Sequence, residues 1–72
     1  MKFEVGDKIL LKKSSPDDLV GHEHFLGQIL TVSRVREAVS GGLDVFTEES
    51  GDSWWWHTYE IEGKIVGNRL VV

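Results

Sequence analysis

Positions 54 to 56 are all tryptophan, and His57 follows them, in a chain of only 72 residues. Few features constrain a small fold more. Side chains on a strand alternate between faces, so Trp54 and Trp56 point one way and Trp55 the other. A domain of this size has one interior, which cannot easily hide three indoles. The Trp55 face also carries the polar Ser53 and His57. This pattern predicts Trp54 and Trp56 inside and Trp55 at the surface.

Length allows one domain, spanning residues 1–72. A chain this short buries roughly 60% of the surface it exposes when unfolded, so its stability should be modest. It has no cysteine, hence no disulfide staple or thiolate metal site, and a reducing cytoplasm is the expected compartment. No apolar run approaches the ~20 residues that span a bilayer, and the N-terminus has no hydrophobic stretch of the signal-peptide type. The chain reads as a complete cytoplasmic product with no membrane association. Twelve acidic residues against eight basic ones give a net charge of −4. That balance argues against the broadly basic surface nucleic-acid binding requires and fits a protein partner better, a basic one in particular.

Alternation and turn residues predict strands almost throughout. Residues 8–12 form the first. A long polar stretch follows over 13–27, where Ser15-Pro16 could open a helical turn. Leu19, Phe25 and Leu26 should fold that stretch back onto the core. Residues 28–36 are the clearest strand, and the phase slip near Ser33-Arg34 predicts a bulge. Ser40-Gly41-Gly42 turns into a strand over 43–47, and Glu49-Ser50-Gly51-Asp52 turns into the tryptophan strand. Residues 64–66 and 69–72 close the chain around a Gly67-Asn68 turn. Five or six short strands without a long helix indicate an all-β, antiparallel, SH3-like barrel.

Three segments carry a family resemblance: Val5-Gly6-Asp7-Lys8-Ile9, Gly27-Gln28-Ile29-Leu30-Thr31-Val32, and the acidic hairpin leading to Trp54-Trp55-Trp56. On these, across most of residues 3 to 61, the chain resembles small SH3-like barrel proteins of bacteria and their phages. The resemblance implies the barrel fold and points to a phage or prophage accessory protein that acts on a host protein. It assigns no catalytic residue.

The residues offer several chemistries. Trp55, with Tyr59, His57 and Phe46, could form a shallow aromatic groove, and Glu48, Glu49 and Asp52 would rim it. Indoles and carboxylates together suit a partner's Arg or Lys. A groove of this kind on an SH3-type fold commonly takes an extended peptide. The expectation is therefore a non-catalytic protein-binding module, and exposed tryptophan also makes a homodimer an expectation. The alternative is nucleic-acid binding. Lys8 and Lys12 share a face of the first strand, Lys13 follows, and Arg34 and Arg36 share a face of the second. Bases could stack on nearby tryptophan, although Glu48, Glu49 and Asp52 would repel phosphates. His22, His24 and His57 are the nitrogen ligands available to a metal, but two of them lie in a loop. No metal or other cofactor is expected. Serines here sit in turns without the strand–turn–helix setting of a nucleophile, so no enzyme is expected either.

Overall fold

The computed structural model describes residues 2–72. The fold is all-β, with strands β1 (Lys8–Leu11), β2 (Ile29–Glu37), β3 (Leu43–Thr47), β4 (Gly51–His57), β5 (Ile61–Val66) and β6 (Arg69–Val71). They form one antiparallel sheet of order β4-β3-β2-β1-β5-β6. A long connection follows β1, tight hairpins join β2, β3 and β4, and β5 returns to pair with β1. That is the expected SH3-like arrangement, with the hydrogen-bonded ladder left open between β4 and β6. Single turns of 3-10 helix occupy Glu23–Phe25 and Thr58–Glu60. No helix among the described residues is long and apolar enough to cross a membrane.

A bulge in β2 shapes the molecule. Val32 pairs with Thr47 and Arg34 with Phe46, so Ser33 is an extra residue on its strand. Before the bulge Leu30 and Val32 face the core, and beyond it the inward role passes to Val35 while Arg34 and Arg36 stay exposed. One bulge thus switches the alternation and bends the strand. The core gathers Phe3, Ile9, Leu11, Leu19, Leu30, Val32, Val45, Trp56 and Ile61 from β1 to β5 and the connections. Trp56, with none of its surface exposed, is its largest member. Burying an indole contributes on the order of 5 kcal/mol of transfer free energy. Its N–H donates to Ser50 Oγ at 3.3 Å, so full burial leaves that donor satisfied.

The connection over residues 12–28 folds back as expected. Leu19 is buried, and Phe25 and Leu26 pack against the core. Its helical turn, however, forms at Glu23–Phe25 rather than at Ser15-Pro16. Around the proline, short polar side chains satisfy the backbone instead. Asp17 N–H donates to Ser15 Oγ at 3.2 Å and Val20 N–H to Asp18 Oδ1 at 3.1 Å. Such local bonds compete with helix formation.

Candidate functional site

The tryptophan strand divides as its alternation requires. Trp56 is core. Trp54 is half-buried, edge-on to Trp56 at 5.7 Å and stacked on His22 at 3.9 Å with the ring planes 9° apart. Trp55 points outward and keeps 40% of its surface exposed. His22 therefore clamps the long connection onto β4 through Trp54, and Trp55 is left free beside it.

Between that connection and β4 lies a cleft of about 430 Å³. Asp17, Asp18 and Leu19 form one side, and Ser53, Trp54, Trp55, His57 and Glu60 form the other. Two hydrogen bonds hold the walls together and a third braces one of them. Tyr59 Oη donates to Asp17 Oδ2 at 2.5 Å, Ser15 Oγ to Glu60 Oε2 at 2.7 Å, and His57 N–H to Glu60 Oε1 at 3.1 Å. The bond to Asp17, with some burial and the charges of Asp17 and Glu60, pushes the Tyr59 phenol up to about 12. Glu60 keeps only 3% exposure, so it braces the floor rather than the mouth. The His57 ring stacks on Tyr59 at 5.1 Å and turns Nδ1 toward Asp44 at 3.8 Å.

On the other flank of Trp55, the outer face of β2 and β3 carries a second small cluster. Phe46 lies 5.8 Å from Trp55, ring to ring. The Arg34 guanidinium covers Phe46 at 3.9 Å, and that of Arg36 lies 5.0 Å from the Trp55 ring. Arg36 also donates to Asp44 Oδ2 at 2.8 Å. Stacked guanidinium planes hide the phenyl ring, which keeps only 1% exposure. Phe46, expected in the aromatic groove, therefore supports Trp55 from below and cannot itself touch a partner.

The expected acidic rim is also relocated. Glu49 accepts from Thr31 N–H at 2.8 Å and Thr31 Oγ1 at 3.0 Å, anchoring the β3–β4 hairpin to β2. Burial raises its carboxyl, but these bonds, one from its own amide and the nearby Lys8 charge outweigh that and hold it below the usual range. Glu48 and Asp52 are exposed on the hairpin and do not line the cleft. Asp17 and Asp18 take their place, with Leu19, Ser53 and Glu60 completing the site. The signal for these was the length of the polar connection, but what they face depends on how it folds back.

The basic residues do not converge. Lys8 Nζ donates to Thr31 Oγ1 at 2.6 Å. Lys12 and Lys13 line a separate hollow of about 460 Å³ with Leu10, Glu62 and Leu70, whereas Arg34 and Arg36 lie past the β2 bulge beside β3. The histidines are dispersed as well, with His22 on Trp54, His24 against Phe25 and His57 on Tyr59. Among the described residues the group with metal-ligand spacing is instead Asp17, His57 and Glu60, whose ligand atoms lie within 4.8 Å of one another. Both carboxylates there already accept bonds from Tyr59, Ser15 and the His57 amide.

Comparison with protein families, with curated proteins and with solved structures finds no match. The fold and cleft define a small all-β domain with one indole presented between acidic and guanidinium side chains.

Proposed function

We propose that this chain is a non-catalytic protein-binding module whose cleft takes a basic segment of another protein. One observation carries the reading: exposed Trp55 walls a cleft whose opposite wall is Asp17 and Asp18. An indole provides a large contact area at small entropic cost and attracts a cation over its face. Carboxylates opposite it pair with guanidinium or ammonium. The resemblance to phage and bacterial barrel proteins suggests a cytoplasmic host protein as the partner. Nucleic-acid binding through Lys8, Lys12, Lys13, Arg34 and Arg36 has less support, because Lys8 is engaged by Thr31 and Glu49 and Arg36 by Asp44.

The test uses three probes of similar length: an Arg/Lys-rich peptide, a Glu/Asp-rich peptide and a single-stranded oligonucleotide. Each is titrated into the isotope-labelled chain while the three indole N–H resonances are followed. The basic peptide should shift Trp55 and the amides of Asp17 and Asp18. Trp55→Ala should weaken that binding about thirtyfold, the ~2 kcal/mol typical of an interface anchor, with the fold retained. Oligonucleotide binding that weakens steeply with salt, in place of the peptide shifts, would establish the basic-patch alternative.

A further inference from the structure

Charge is arranged across the Trp55 face in a definite order. Arg34 and Arg36 stand on β2, Phe46 and Asp44 on β3 and Trp55 on β4. β3 fills one flank of β4, and the cleft with Asp17 and Asp18 opens on the other. The face therefore runs from basic through aromatic to acidic. Arg36 is satisfied by Asp44, but Arg34 forms no ion pair among the described residues, and neither does Asp18.

A surface graded in this way is complementary to itself. Two copies laid face to face about a two-fold axis exchange their flanks: what lies to one side of the axis meets what lies to the other. With the axis along β4 at Trp55, Arg34 of each copy meets the Asp17–Asp18 wall of the other. The arginines sit roughly 10 Å from the axis, two strand spacings away. The two Trp55 rings meet on the axis, the central position interface anchors favour. Phe46 and its stacked guanidinium groups give each indole a firm backing.

We infer that, when no foreign partner is bound, a second copy of this chain occupies the Trp55 face as an isologous homodimer in which Arg34 pairs across the interface with the Asp17–Asp18 wall. This rests on the proposed role of Trp55 as a contact residue and adds a regulatory consequence. The dimer covers the cleft, so a basic partner must compete with the second copy.

Sedimentation equilibrium from micromolar to millimolar protein tests the inference with three variants at exposed positions, Arg34→Glu, Asp18→Arg and Trp55→Ala. The unmodified chain should show a concentration-dependent dimer. Arg34→Glu faces Asp18 with a like charge, and Asp18→Arg does the same to Arg34, so each alone should raise the dimer Kd at least about tenfold. Trp55→Ala should do so as well. Mixed in equal amounts, the two charge-reversed chains should dimerise again, because both contacts of the mixed pair are attractive. A chain monomeric throughout, charge variants that dimerise as the unmodified chain does, or a mixture that stays monomeric would each overturn the homodimer. If the basic peptide still shifts Trp55 in a strictly monomeric chain, the dimer fails while the peptide-binding reading stands. If the mixed pair dimerises and the Arg34→Glu chain, monomeric by itself, binds no basic peptide, the reverse holds.

Discussion

Tyr59 is half exposed, yet its hydroxyl is committed to the fold. With 49% of its surface open, it would count as a free aromatic by exposure alone. Its bond to Asp17, however, ties the 3-10 turn to the long connection across 42 positions of sequence. That bond holds the phenol in its neutral form and pushes its titration to about 12, against about 10 for a free tyrosine. The sign follows directly. A pKa raised by folding contributes stability in full below the unfolded value, and this is lost as pH rises from about 10 through about 12. The chain has one tyrosine, so phenolate absorbance reports this residue alone. Its midpoint should lie near 12, and Asp17→Asn should bring it back toward 10. A midpoint near 10 in the unmodified chain would show that the bond does not persist in solution. Phe46 illustrates the opposite case, since nothing in Val45-Phe46-Thr47 reveals that two arginines from another strand will cover its ring.

Among the elements, β6 depends on a single glycine. β5 pairs with β1 on one side and β6 on the other, and Gly63 sits where Leu70 and Val71 approach most closely. A Cβ at position 63 would lie 2.4 Å from the Val71 carbonyl oxygen and 2.9 Å from Leu70 Cδ1. The carbonyl belongs to backbone and cannot turn aside, so β6 must move. Gly63→Ala should cost about 1–3 kcal/mol, the usual range for forcing atoms into packed space. Hydrogen exchange should locate the damage, with faster exchange in β5 and β6 and little change around Trp56. Unchanged protection in β6 would mean that the hairpin is not packed as described. At this scale much was legible. Turn residues marked the hairpins, the tryptophan alternation was readable, and the phase slip near Ser33 marked the β2 bulge. The helical turn was misplaced because Ser15 and Asp18 bond locally around Pro16, while Glu23–Phe25 closes its turn under the packing of Phe25.

For the molecule as a whole, two carboxylates bind distant segments together. Asp7 accepts the Glu4 N–H and lies 3.2 Å from Lys64 Nζ, joining the start of the chain to β5. The Glu4 bond chiefly, with Lys64 adding to it against an opposing effect of burial, holds Asp7 below its usual value. Glu49, lowered as described above, joins the hairpin to β2. A pKa depressed by folding contributes stability above the unfolded value, and that contribution is lost as pH falls through the folded one. Urea midpoints should therefore hold steady at neutral pH and decline once pH drops below about 4. Glu49→Gln should lower the neutral-pH midpoint and flatten part of the decline. An equally steep decline in that variant would show that Glu49 does not carry it.

Strand periodicity, turn chemistry and the outward direction of Trp55 were determined by the sequence alone, because each depends on neighbours within a few residues. That carboxylates stand near the exposed indole was legible too, but not which ones. Glu49 and Asp17 are both ordinary exposed-looking carboxylates in sequence. One is tied to β2 by Thr31, and the other is carried to the tryptophan wall when Leu19 buries and His22 stacks on Trp54. Only the tertiary structure decided between them, because contacts between distant segments depend on how a long connection folds back and on the register of paired strands.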